Sequence, residues 1–366
     1  MLRRVVILAD DSAQWKIAGL RQLDRVALEV KELAAARGEI VKFIISWSSD
    51  IPREKRFLPR HPRLTRLDFV EASPERTDLF LSTRIFLRRK SPLVASLLAT
   101  ITTDGPQTAD EIRAAWRNSE GLEGWEYLDD PAQIAACEKR FLRGSSKPQD
   151  GLVSRLINRP VSRVITRVLL RTAITPSGWT LAIFILPLAG AGFLARGDYG
   201  SVVAGLFLFQ LYSIVDGCDG EIARAKYLES ERGAKLDTLC DLVGNLLLVV
   251  SLGYGLSRSV EGIVVALLIA TNELLLGLPA RGADEASSNK GDGALYPRHR
   301  RLVERSGLLF FGERLAGWLI QLTKRDVALL AFFFLALAGR PAWILHLLGA
   351  VAAGCSLLAL RSFFSR

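Results

Sequence analysis

Four aspartates stand in two pairs within one short stretch, VDGCDGEIARAKYLESERGAKLDTLCDLVGN, running from Val215 to Asn245. Asp216 and Asp219 are three residues apart, and Asp237 and Asp241 are four apart. Residues at those separations share one face of a helix, so each pair presents both carboxylates to the same side. Apolar segments flank the stretch, SVVAGLFLFQLYSIV ahead of it and LLLVVSLGYGL behind. A carboxylate held in a hydrocarbon core costs about 2.5–3.5 kcal/mol, and four gathered in one small space cannot all stay ionised without a cation. Hard oxygen donors favour Mg²⁺, which is commonly shared between carboxylates and substrate phosphates. Four carboxylates can hold two such ions, and two ions can clamp a pyrophosphate during displacement. The residues between the pairs suit a phosphate substrate. Gly220 and Gly233 allow close approach of backbone or nucleotide, Ala223 is small, and Arg224 can fork onto a phosphate.

The elements that must position these residues follow from composition. The chain has 366 residues, of which 23% are charged, yet its mean hydropathy is +0.23. Those values fit a chain divided into a polar part and an apolar part, and the division falls near residue 174. Beyond it, six candidate membrane spans cover about 176–195, 199–218, 236–256, 260–279, 326–339 and 342–361. The fifth is short for a hydrocarbon core of about 30 Å. Turns after the first, third and fifth spans carry one arginine each, Arg196, Arg258 and Arg340. The opposite connections carry Arg224, Lys226, Arg232 and Lys235, then nine basic residues from Arg281 to Arg325. The positive-inside rule places that crowded side, both termini and the aspartate stretch in the cytosol. The second and third spans then run antiparallel and bring the two carboxylate pairs together. Just before the first span, Arg155, Arg159, Arg163, Arg167 and Arg171 recur every four residues among apolar positions, the pattern of a basic amphipathic helix at a membrane interface. The stretch 307–325 reads as a second one. Asn272 and Glu273 inside the fourth span are expected to face the bundle.

The net charge of +10 suits an anionic surface or anionic substrates. No basic run is interleaved with aromatics, so nucleic acid is not an expected partner. The cysteines Cys137, Cys218, Cys240 and Cys355 form no CxxC pair and read as free thiols. The opening MLRRVVILADD has an apolar run of only five residues, so no secretory leader is expected there.

The pattern Asp-x2-Asp-Gly-x2-Ala-Arg-x8-Gly-x3-Asp-x3-Asp is filled by Asp216, Asp219, Gly220, Ala223, Arg224, Gly233, Asp237 and Asp241. In this it resembles the CDP-alcohol phosphotransferase family. The resemblance implies transfer of a substituted phosphoryl group from a CDP-alcohol to an acceptor alcohol with release of CMP. It implies that Asp216, Asp219 and Asp237 are metal ligands, that Asp241 lies near the second ion and acts as general base, and that Gly220, Ala223, Arg224 and Gly233 contact the CDP moiety. Two Mg²⁺ ions are expected, with Mn²⁺ as a substitute. The segments DGLVSRLINRPVSRVITRVLLRTAITPSGWTL, FQLYSIVDGCDGEIARAKYLESERGAKLDTLCD and KRDVALL look like the branch that makes di-myo-inositol phosphate phosphate from CDP-inositol and inositol phosphate. The alternative is a phosphatidyltransferase using CDP-diacylglycerol to make a phospholipid of the phosphatidylinositol phosphate type. A transporter using the carboxylates as an ion path would spread acids through the spans, whereas here they cluster with an arginine and two glycines. Arg155, Arg159, Lys235 and Arg298 are candidates for an acceptor phosphate. The family also implies a homodimer through the membrane part.

That branch often carries a fused N-terminal nucleotidyltransferase-like domain. RRVVILADD reads as a first strand, LDRVALEVKELAAARG as a helix ending at Gly38, IVKFIISW as a second strand and TDLFLSTRIFLRR as a third, an order that gives a three-layer α/β domain. A nucleotidyltransferase needs a Gly-rich, basic loop after its first strand to cradle phosphates. The loop here, ADDSAQWKIAGL, has no glycine before Gly19 and holds two acids. The domain is therefore expected to be non-catalytic, with Asp10 and Lys16 as the residues that would test otherwise. The expected organisation is a cytosolic nucleotidyltransferase-like α/β domain over 1–140, a linker with an interfacial amphipathic helix over 141–174, and an all-α six-helix transmembrane bundle over 175–366. The protein is expected in the cytoplasmic membrane, with the bilayer as a partner.

Overall fold

A computed structural model describes residues 2–65, 67, 69–70, 79–89, 108, 110–111, 113–114, 124–144, 151–277 and 324–364. Arg298 and the stretch 307–323 lie outside the described residues, as does the side chain of Cys355. The chain forms two compact units. The first comprises Met1–Ser145 with two returning pieces, Leu170–Ala173 and Arg224–Leu228. The second comprises Ser146–Leu169, Ile174–Ala223 and Glu229–Arg366.

In the first unit, β1 (Leu2–Ala9) is followed by a small hairpin of β2 (Lys16–Ile17) and β3 (Leu20–Arg21), then α1 (Gln22–Ala36), β4 (Ile40–Trp47), β5 (Phe69–Val70) and β6 (Leu79–Ser82). The sheet order is β5-β4-β1-β6, and every pairing in it is parallel. Strands buried on both faces read as unbroken apolar runs, which is why VVIL and FII were legible as strands. Val5, Val6, Ile7, Phe43, Ile44 and Ile45 are buried in the core. Helix α1 ends where Gly38 takes a φ of +67°, the left-handed conformation that favours glycine just past a helix. The stretch read as one third strand is two. Thr83 and Arg84 turn the chain after β6, and β7 (Ile85–Leu87) pairs antiparallel with β8 (Trp125–Tyr127). The cause is local: the Thr83 N–H donates to the Leu8 carbonyl at 3.0 Å, while Arg84 swings back onto Asp10 and Asp11. Helix α2 (Ile134–Arg143) follows. One core residue comes from far along the chain, since Tyr227 is fully buried among the α1 and sheet side chains.

The second unit is helical: α3 (Arg159–Leu169), α4 (Pro176–Ile183), α5 (Ile185–Arg196), α6 (Tyr199–Lys226, whose residues from Arg224 on fall in the first unit), α7 (Glu231–Gly255), α8 (Ser259–Gly277), α9 (Arg325–Leu337) and α10 (Ala342–Phe364). Thr175 caps α4, accepting from the Gly178 N–H at 3.1 Å, with Pro176 in the first turn. Ser230 caps α7 in the same way through the Gly233 N–H at 3.0 Å. Among the described residues, three helical stretches are long and apolar enough to cross a membrane: Pro176–Arg196, Tyr199–Lys226 and Glu231–Gly255. Helix α9, with 13 residues, is about 20 Å long at 1.5 Å per residue, short of a bilayer core. Buried Leu194, Leu206, Phe209, Leu252, Phe332 and Leu345 join these helices in one apolar cluster. Asn272 donates to the Ala352 carbonyl at 2.9 Å and accepts from Ser356 at 2.8 Å, a polar tie between α8 and α10. Glu273, expected to face the bundle, is exposed.

Helices α6 and α7 reach beyond the expected spans. Helix α6 continues past 218 to Lys226, and α7 begins at Glu231, ahead of 236. At 28 residues, α6 is about 42 Å long, so its last turns overshoot an apolar layer of about 30 Å. The polar run DGEIARAK contains no proline and simply continues the helix.

Burial pushes the Glu29 carboxyl up from 4.5 to about 7, with Glu32 adding to the shift and Tyr227, Arg25 and Arg89 opposing it. Between about 4.5 and about 7 the folded chain therefore keeps a proton that the unfolded chain has released, and stability falls as pH rises through that window. Hydrogen exchange of the α1 amides, corrected for intrinsic rates, should show protection declining across it. Glu29→Gln should flatten the decline; an unchanged slope would contradict the assignment.

Candidate active site

Helix α6 carries Asp216, Asp219, Gly220, Ala223 and Arg224, and α7 carries Gly233, Asp237 and Asp241. One carboxylate oxygen from each of Asp216, Asp219 and Asp237 falls within 4.8 Å of the others. The helix period explains the convergence: Asp216 and Asp219 lie one turn apart on α6, and Asp237 faces them from α7. Side chains from α4 fix the arrangement. The Trp179 indole N–H donates to the Val215 carbonyl at 2.9 Å, and the Thr180 hydroxyl donates to Asp219 Oδ2 at 2.7 Å. Asp216 Oδ1 is buried and meets no hydrogen-bond donor among the described residues. A buried carboxylate oxygen left this way is costly, and three hard oxygen donors at this spacing fit a divalent cation.

Asp241 is not one of that trio. Its Oδ1 is ion-paired with Arg325 at the start of α9, and the Tyr212 hydroxyl donates to the same oxygen at 3.4 Å. The Arg325 guanidinium lies 5.0 Å from the centre of the Tyr212 ring, within cation–π range. The next residue, Asp326, accepts from the Ser154 N–H at 2.6 Å, tying the start of α9 to the segment before α3. The sequence reading counted Arg325 only among the basic residues of the cytosolic side. Its signal was KRDVALL, a cation at the head of an apolar helix, but nothing in periodicity names a partner 84 positions earlier.

The candidate phosphate cations fall in different settings. Arg155 and Lys235 are exposed, and Lys235 pairs with Glu231 at 2.8 Å. Arg159 is buried, and its Nη1 meets Glu221 Oε1 at 3.1 Å and the Gly217 carbonyl at 3.4 Å. Glu221, almost fully buried, also accepts from Ser162 at 2.9 Å and Thr166 at 2.7 Å. Gly217 lets the guanidinium cross: a Cβ there would sit 3.0 Å from Arg159 Nη1. This polar knot fastens α3 to the signature helix one turn from Asp216 and Asp219. In the first unit, Asp10 is held by Arg84 at 2.5 Å and by Ser12, and Lys16 is exposed.

Residues 169–287 match the family model described as CDP-alcohol phosphatidyltransferase. A bifunctional IPC transferase and DIPP synthase from Rubrobacter xylanophilus is 42% identical over 154 residues, covering 40% of this chain and 35% of the relative. A protein of the same description from Aquifex aeolicus is 32% identical over 118 residues, covering 32% of this chain and 26% of the relative. A phosphatidylinositol phosphate synthase from Mycolicibacterium smegmatis is 31% identical over 138 residues, covering 37% of this chain and 60% of the relative. The matched stretch thus spans about a third or less of the bifunctional relatives.

Removing one partner of a buried ion pair leaves an uncompensated charge and costs about 3–5 kcal/mol, whereas replacing both by apolar groups is near neutral. Arg159→Ala should therefore lower the melting temperature in detergent sharply, and Arg159→Met with Glu221→Leu should restore most of it. A stable Arg159→Ala variant would contradict the structural role of the pair.

Proposed function

We propose that the protein is a membrane-embedded transferase that moves a substituted phosphoryl group from a CDP-alcohol to an alcohol and releases CMP. The observation that carries this reading is the convergence of Asp216, Asp219 and Asp237 from two helices beside the filled signature. These three residues, with Asp241 at a second position, would hold one or two Mg²⁺ ions. The ions would neutralise the pyrophosphate and stabilise the leaving CMP. Arg224 and the small residues Gly220, Ala223 and Gly233 bind the CDP portion, which needs both a cation and close backbone approach. Asp241 takes the proton of the acceptor hydroxyl as its oxygen forms the new bond to phosphorus. Its Oδ1 is shared by Arg325 and Tyr212, which hold the carboxylate in one orientation.

The donor and acceptor read best as CDP-inositol and inositol phosphate, because the bifunctional relatives show the higher identity and the chain adds an α/β unit ahead of the helices. CDP-diacylglycerol is the second reading, favoured by the similarity to phosphatidylinositol phosphate synthases. Arg155, Arg159, Lys235 and Arg298 remain the candidates for the acceptor phosphate, and of these Arg159 would have to leave Glu221 to serve. The full arrangement would have six spans, with the site and both termini on the cytosolic side of the cytoplasmic membrane, as a homodimer. The distribution of Lys and Arg supports that orientation. The α/β unit would be a nucleotidyltransferase relative without catalysis, since Arg84 occupies both acids of its first loop.

Purified protein with Mg²⁺ and inositol phosphate should release CMP from CDP-inositol, and a preference for CDP-diacylglycerol would select the second reading. Asp241→Asn should lower turnover by about 10²-fold or more, the scale of a general base, while nucleotide binding persists. Undiminished turnover in that variant would contradict the base assignment, and CMP release from neither donor would contradict the whole reading.

A further inference from the structure

The first unit holds a piece of the signature helix. Residues Arg224–Leu228 belong to it, and with them the last turn of α6. The last carbonyls of any helix lack intrahelical partners and must be satisfied from outside. Here three consecutive ones are served by three side chains of the α/β unit. Arg89 Nη1 donates to the Arg224 carbonyl at 3.3 Å, Arg25 Nη2 to the Ala225 carbonyl at 3.0 Å, and His61 Nε2 to the Lys226 carbonyl at 2.9 Å. The His61 tautomer follows from its other nitrogen. Nδ1 accepts from the Arg63 N–H at 3.2 Å, so the proton sits on Nε2, and burial holds the ring's pKa below the ordinary value and keeps it neutral.

Each donor is itself fixed. Arg89 forks onto Glu32 at 2.6 and 3.0 Å. Arg25, fully buried, also donates to the Ile17 carbonyl at 2.8 Å. The helix then stops at Tyr227 with φ of 54°. A tyrosine in the left-handed region is strained and persists only where its surroundings impose it. They do so here: the ring is fully buried, its hydroxyl donates to Glu29, and the guanidinium carbons of Arg89 and Arg25 lie 4.2 and 5.9 Å from its centre. Two cations at a helix C-terminus also complement the helix dipole.

We propose that the α/β unit serves as the C-terminal cap of α6, and that Arg25, His61 and Arg89 are positioning residues for Arg224. An uncapped last turn frays. Arg224 lies in that turn, five positions beyond Asp219, and only a helical backbone keeps it in register with Gly220 and the aspartates. A domain without a phosphate loop thereby has a use in the reaction: it sets the nucleotide-binding arginine. The cap itself rests on geometry alone, and its link to the donor rests on the CDP reading above.

The test uses the full chain in lipid nanodiscs with paired variants. His61→Gln and Arg89→Lys retain a donor, whereas His61→Leu and Arg89→Met do not. Hydrogen exchange of the peptide covering 220–228 should speed up about tenfold in the donor-less variants and less in the conservative ones, while β1 and β4 keep unsubstituted protection. In the same variants KM for the CDP donor should rise about tenfold with acceptor KM unchanged and kcat altered less. Unchanged exchange at 220–228, or equal loss in β1 and β4, would overturn the cap. Faster exchange at 220–228 with an unaltered donor KM would overturn the positioning role. If the unsubstituted protein releases no CMP, the CDP reading fails, and the exchange contrast alone still decides the cap.

Discussion

Three carboxylates facing one another beside apolar helices repel, and that repulsion constrains everything around them. Coulomb energy between like charges grows as the surroundings become less polar, so Asp216, Asp219 and Asp237 can converge only where something positive joins them. The apolar cluster of Leu206, Phe209, Leu252 and Phe332 brings α6 and α7 together with their apolar neighbours. The trio is then an arrangement imposed by packing, fit to be completed by a cation, and Trp179 and Thr180 of α4 orient its α6 side. The fourth aspartate obeys the same constraint by other means, since Arg325 supplies its countercharge from the chain itself.

Polar side chains hold the signature helix at two places along its length. Arg159, Ser162 and Thr166 of α3 converge on Glu221. Arg25, His61 and Arg89 hold its final carbonyls. These polar contacts use residues of the signature's own variable positions, such as Glu221 and the backbone of Ala225.

Much of this was legible from one chain of letters. The spacing of the aspartates named a helical face and a cation because helix geometry is rigid and local. The strands β1 and β4 were legible because parallel strands are apolar throughout. What escaped were partners rather than elements. Glu221 gave no hint of Arg159, nor Asp241 of Arg325, because periodicity reports which face is buried and not what meets it. The cap on α6 joins residues 135 to 200 positions apart, beyond the reach of any spacing rule. The reach of α6 to Lys226 was not legible from hydropathy, which marks the apolar span and not where the helix around it ends.

The central claim, that the aspartate trio is a divalent-cation site, is tested most directly by the melting temperature of the detergent-solubilised protein titrated with Mg²⁺. A ligand that binds the folded state alone raises apparent stability by about 2.7 kcal/mol at a hundredfold excess over its Kd. The unsubstituted protein should show a saturable rise, and Asp216→Asn and Asp237→Asn should each abolish it. An equal rise in those variants, or none in the unsubstituted protein, would contradict the account.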